Sequence, residues 1–250
     1  MASEEDEQSP FTRPGFIIAA AMLFLIIVGG VGIAIFGGNK DKTPTATPTP
    51  SPTLTAEPDP EPTADTTETS VCGLDGEVVE EARLTSAPEA EWDYQDTTAY
   101  PTSDEFGPGE VSEEGYRYCF ARNPEGAVVA AANAVVQASD LEIMTKWLNY
   151  FVADTPEGKE WLSDDEVSND GSLSGIRTAI EGFRLLAYDG TRARVDMASS
   201  VTVEGQTHYI SIIYPLVWES GDWRLEVTDA AAPTDVAQLP DVARYISWGA

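Results

Sequence analysis

The chain has 250 residues, 42% of them hydrophobic and 23% charged, with 14 Lys and Arg against 43 Asp and Glu for a formal net charge of −29. A chain this acidic has no basic stripe to track a phosphate backbone, so no direct nucleic-acid binding is expected. Two cysteines and one histidine do not furnish a tetrahedral zinc site, and neither a metal nor another cofactor is expected.

The acidic start MASEEDEQ is followed by FIIAAAMLFLIIVGGVGIAIF, Phe16 to Phe36, which carries no charged residue. At a helical rise of about 1.5 Å per residue it spans roughly 30 Å, the thickness of a bilayer core. The spacing predicts a transmembrane helix. A cleaved signal peptide has a basic start and a shorter apolar core, so the run reads as an uncleaved signal anchor. Gly30 and Ala34 lie four apart and would permit close helix approach. Arg13 before the run and Lys40 and Lys42 after it do not fix its orientation.

The next stretch does. Residues 37–70 are rich in Thr and Pro, a composition that stays extended and buries too little apolar surface to fold. Such stalks usually lie outside the cell. The expectation is a single-pass cell-membrane protein with residues 1–15 as a cytoplasmic tail and the C-terminal part extracellular. At about 3.1 Å per residue in Pro-rich chain, Thr43 to Thr63 would reach roughly 60 Å.

Both cysteines, Cys72 and Cys119, follow the stalk. An even count in an exported domain reads as a disulfide, whose loop closure contributes about 4 kcal/mol in the chain-entropy model. Two free buried thiols are the other reading. Residues 71–118, with Trp92, Tyr94, Tyr100 and Phe106 scattered among Pro and Gly, read as an extended strap held to the body by that bridge.

Helical patterning then begins. Asn123 is placed to cap a helix with Pro124 at its first position and Glu125 in its first turn. Ser139 and Glu142 have capping-box spacing for a second helix through Phe151, and Thr155 with Pro156 starts a third toward Leu162. From Gly182 the period falls to two. Four strands are predicted, joined at Asp189–Gly190, Glu204–Gly205 and Gly221–Asp222. Helices followed by a meander predict an α+β domain.

Three helices followed by a curved meander resemble the cone-shaped fold of nuclear-transport-factor-2-like (NTF2-like) proteins. GFRLLAYDGTRARV with LVWESGDWRLEV is similar to the outer domains of conjugation proteins of the VirB8 and TcpC type. NPEGAVVAAANAVVQASD and the terminal YISWGA look like membrane-anchored proteins encoded beside conjugation genes in actinobacterial mobile elements. The resemblance implies an NTF2-like domain over 119–250, about three helices on a curved four-stranded antiparallel sheet. It also implies a non-enzymatic scaffold subunit of a type IV secretion-like DNA-transfer machine, with other channel subunits as partners and a homo-oligomer as a natural state.

His208, the only histidine, falls on a strand with Ile210, Ile212, Tyr214 and Leu216 on one face. A pocket of His208, Asp196 and Tyr214 would support the alternative function, a small-molecule enzyme or ligand-binding module of the cell envelope. The bland reading of His208 as a strand residue near a turn outweighs it. Trp218 and Trp223 read as a cross-strand aromatic pair, or else as an exposed docking interface. GSLSG at 171–175 has Leu173 where a nucleophile elbow needs Ser. SDDEVSNDG at 163–171 has calcium-loop composition without the ligand spacing.

Overall fold

The computed structural model describes residues 69–140, 142–163, 177–203 and 205–250. The expected cytoplasmic tail, the Phe16–Phe36 anchor, the stalk up to residue 68, GSLSG and all but the first residue of SDDEVSNDG lie outside them. Among the described residues no helix is long and apolar enough to cross a membrane.

The strap is more ordered than its composition promised. It carries a hairpin of β1 (Glu91–Gln95) and β2 (Thr98–Thr102), then the short pair β3 (Glu110–Val111) and β4 (Arg117–Tyr118). Three helices follow, α1 (Pro124–Gln137), α2 (Met144–Phe151) and α3 (Pro156–Leu162). The Asn123 side chain accepts the Gly126 N–H at 2.7 Å, and Thr155 accepts that of Gly158 at 3.0 Å, so two of the three predicted starts hold. The capping box does not form. Ser139 instead donates back to the Val136 carbonyl at 2.6 Å, and α2 starts after Ile143 with no side-chain cap.

The rest is sheet. β5 (Arg177–Tyr188), β6 (Arg192–Val203), β7 (Gln206–Glu219) and β8 (Asp222–Leu225) form the predicted meander. Two further strands come from the C-terminal segment: β9 (Asp235–Leu239) pairs with β7 beside β8, and β10 (Ile246–Ser247) pairs with β5 at the opposite edge. This corrects the expected NTF2-like cone of three helices on four strands. The described residues hold more strand than helix, in a six-stranded antiparallel sheet plus two two-stranded ones, with three short helices.

The two faces of the sheet differ in what covers them. Ile210, Ile212, Tyr214, Leu216 and Trp218 of β7 are all buried and join α1 in one core cluster. Opposite them stand Val195 and Met197 of β6 and, one strand further, Phe183 of β5. Helix α1 buries every residue except Glu125. Such a helix has no solvent face, and needs cover on the side away from the sheet. The hairpin provides it: Asn133 of α1 donates to Pro101 O at 3.0 Å, and Trp92 packs edge-on against Trp248, which packs edge-on against Phe183.

The outer face is crossed by the chain itself. Between Leu239 and Ile246 the backbone passes from one sheet edge to the other, and the Tyr245 hydroxyl bonds Asp196, which marks the face taken. Gly182, Ala198, Ser211 and Ala237 pair in one row across β5, β6, β7 and β9, a strip of small residues under that crossing. At Gly182 the approach is closest, because a Cβ there would lie 2.4 Å from the Ile246 carbonyl oxygen. Gly182→Ala is therefore expected to push β10 off the edge and to destabilise the domain by about 1–3 kcal/mol, measured as a lowered urea midpoint with increased exposure of Trp248.

Candidate functional site

The three residues proposed for one pocket do not meet. Asp196 pairs with Ile213, whereas Tyr214 and His208 alternate onto the opposite face of β7. The period of two that put His208 with Tyr214 thus separates both from Asp196 by the thickness of the sheet. Tyr214 lies in the core, and burial pushes its hydroxyl above the usual tyrosine range. His208 stands opposite Val201, half-buried, its Nε2 shielded and without a hydrogen-bond partner. Among the described residues no carboxylate bonds to it, and none is placed to orient it as a general base.

Asp196 is fully buried under the C-terminal crossing. It accepts from Ser211 Oγ at 2.6 Å, from Arg184 Nε at 3.0 Å and from Tyr245 Oη at 3.0 Å, and Arg184 Nη2 closes an ion pair with it. The hydrogen bond to Asp196 holds the Arg184 guanidinium even further up than usual. The arrangement joins β5, β6, β7 and the crossing segment through one carboxylate.

A second buried carboxylate was read only as a turn residue. The β7–β8 reversal is made by Ser220 and Gly221, at φ of 54° and 79°, so Asp222 is the first residue of β8. Its Oδ2 accepts the Cys119 N–H and the Tyr150 hydroxyl, both at 2.7 Å, and its Oδ1 accepts the N–H groups of Phe120 and Trp223, both at 2.9 Å. Burial pushes the carboxyl up, and the bonds from Phe120, Tyr150 and Cys119, with the charge of Arg224, oppose that push. Cys119 beside it has φ of 67° and bonds Cys72 through a disulfide. The signal for Asp222 in the sequence was weak: one acid directly after a glycine turn and directly before Trp223.

Trp218 and Trp223 face each other across β7 and β8 with ring centroids 5.2 Å apart, edge to face. Both are buried, and Trp223 Nε1 donates to Ala121 O at 2.9 Å, so the pair belongs to the core and offers no docking surface.

Two surface features remain. An open cleft of about 380 Å³ beside the hairpin is lined by Glu89, Glu91 and Asp104 with Thr102 and Ser103. On the outer face of the sheet, away from the C-terminal crossing, Arg192 and Arg194 stand exposed beside half-buried Pro215 and Val217. Among the described residues no group of His, Cys, Asp or Glu side chains is arranged to hold a metal ion.

The described domain is thus an antiparallel-sheet body wrapped by its own strap and C-terminal segment, with its buried acids bonded internally. A family model for a domain of unknown function, DUF8175, matches residues 52–247, and the chain belongs to that family. No curated protein and no solved structure matches it.

Two measurements test the site. Asp222→Asn would set an amide N–H against groups that are all donors, and is expected to destabilise the domain by roughly 3–5 kcal/mol in urea unfolding. Burial raises the hydroxyls of Tyr188 and Tyr214 above the ordinary value of 10.0. Above pH 10 the unfolded chain loses these protons while the folded chain keeps them. Stability that is complete below pH 10 is then expected to fall by about 1.4 kcal/mol per pH unit for each tyrosine, followed by urea unfolding at stepped alkaline pH.

Proposed function

We propose that the chain is a non-enzymatic, single-pass membrane-anchored assembly subunit with its C-terminal domain outside the cell, serving a conjugative, type IV secretion-like DNA-transfer machine. The observation that carries this reading is the use of the two fully buried carboxylates, Asp196 and Asp222. Every oxygen of both accepts from the chain's own donors. A general acid or base needs a proton-transfer partner within reach of a substrate. These two acids instead tie separate segments together, which favours a domain whose output is its shape.

The anchor expected at Phe16 to Phe36 would set position, the Thr- and Pro-rich stalk would set reach, and the wrapped domain would present fixed surfaces. The DNA-transfer setting draws on the similarity of GFRLLAYDGTRARV and LVWESGDWRLEV to VirB8- and TcpC-type outer domains. Chemical cross-linking in native membranes, followed by purification of the tagged full-length chain and mass spectrometry, tests it. A secretion ATPase or other channel subunits are expected in the cross-linked product. Recovery of the chain with no such subunit would overturn the reading.

A further inference from the structure

We propose that the outer face of the sheet, at its arginine-bearing end, docks onto the acidic hairpin side of a second copy of this chain. The inference rests on the assembly reading above, and adds to it the surface and the occupant.

The basic residues are few and unevenly placed. After residue 70 the chain has 11 Lys and Arg against 33 Asp and Glu. Four of those 11 share one side of the sheet. Register puts Arg192, Val217 and Arg224 in one row across β6, β7 and β8, Ala187, Arg194 and Pro215 in a second, and Arg184, Asp196 and Ile213 in a third. Alternation sends all three rows to the face opposite Tyr214 and Met197. Three of the four stand in ion pairs, Arg192 with Glu226 at 3.0 Å, Arg194 with Asp235 at 2.8 Å and Arg184 with buried Asp196, while the Arg224 guanidinium lies 3.6 Å from the centre of the Tyr150 ring. The pairs leave the guanidinium side chains of Arg192 and Arg194 61% and 52% exposed. Between them Ile213, Pro215 and Val217 are only half-buried. An apolar centre with arginine around it is the usual composition of a protein interface.

The strap has the opposite character. Residues 69–118 contain 13 Asp and Glu, all exposed, against Arg83 on the surface and Arg117 buried. The hairpin in this segment lies on the helix side of the sheet, since Trp92 reaches Phe183 through Trp248 and Pro101 meets α1. Its cleft, lined by Glu89, Glu91, Asp104 and two hydroxyl residues, has the size and acceptor groups to take arginine side chains.

Electrostatics then selects the pairing. Two copies of a domain carrying about −22 repel through any pair of acidic faces, and the repulsion is screened only beyond about 8 Å at physiological salt. The arginine end of the sheet relieves that repulsion, and it fits a surface that the same chain carries on its other side. A contact between two different patches is heterologous, and so builds rings or filaments rather than closed two-fold dimers.

The test uses the full-length chain in detergent, with sedimentation velocity at 50 and 500 mM salt. The parent is expected to form species larger than a dimer, weakened at high salt. Arg192→Glu/Arg194→Glu and Glu91→Arg/Asp104→Arg alter opposite faces, and each is expected to weaken self-association at least tenfold with circular dichroism unchanged. Mixed one to one, the two variants are expected to regain species larger than a dimer, because every junction again sets arginine against acid: the intact arginine face against the intact cleft at one, and the two charge-reversed surfaces at the other. A monomeric parent, association unchanged by both variants as anchor-driven pairing would give, or a mixture that stays monomeric would each overturn the proposal. Channel subunits cross-linked to a monomeric parent would leave the assembly reading standing, whereas an oligomer recovered without them would overturn that reading alone.

Discussion

The buried carboxylate of Asp222 is the point at which three layers of the domain are held in register. It sits at the tip of the β7–β8 hairpin, yet its acceptors face Cys119 and Phe120, about a hundred residues earlier in the chain. Those two N–H groups belong to an irregular turn with Cys119 in a left-handed conformation, and such groups have no ladder partner of their own. Once Asp222 satisfies them, the disulfide fixes Cys72, and Val71 N–H reaches Gly221 O at 2.8 Å on the same hairpin. Arg122 and Asn123, just beyond, set the start of α1: Asn123 caps it and Arg122 Nε donates to Gly190 O at 2.9 Å. The direction in which α1 crosses the sheet therefore depends on a side chain from the far end of the fold.

Asp196 solves a similar problem on the other face. A crossing segment with only two residues of strand pairing has few backbone bonds to hold it. The small residues Gly182, Ala198, Ser211 and Ala237 let it lie close, and small residues bury little area with which to hold it. The Tyr245 hydroxyl on Asp196 and the Tyr245 ring under the Arg184 guanidinium, 4.5 Å from its centroid, add direction to weak packing. Trp248 then enters the core from the edge and supplies the apolar area that the crossing lacks.

The meander was legible because its strands are long, alternate cleanly and end at glycine turns, and α1 and α3 because Asn123 and Thr155 sit directly before Pro. The sixth and fifth strands of the main sheet were not. β10 has two residues, and β9 has only Val236 and Leu239 as large apolar side chains, too few for either to show a period. The hairpin could have been found, since Trp92 and Tyr94 alternate with Glu91, Asp93 and Gln95 before an Asp–Thr turn, but its Pro and acid-rich surroundings obscured it. The candidate pocket failed for a reason present in the sequence all along. His208 and Tyr214 lie on one parity of β7, and only the pairing register, fixed by the Gly205 turn, determines which parity of β6 faces them.

An acidic surface is usually read as a means of staying soluble, and over most of this domain that reading suffices. It does not account for the placement of the arginines. Solubility is served as well by a scattered minority charge, and two long exposed side chains held in ion pairs contribute little to stability. Exposing Arg192 and Arg194 on the outer face of the sheet, while the hairpin of residues 91–102 carries Glu91, Asp93 and Asp96 and no cation, gives the molecule two unlike sides. A domain with two unlike sides has a direction. Mounted on an anchor and a stalk, it would meet its neighbours in a fixed orientation, and the long-range repulsion among acidic surfaces would reject the other orientations before short-range contacts form.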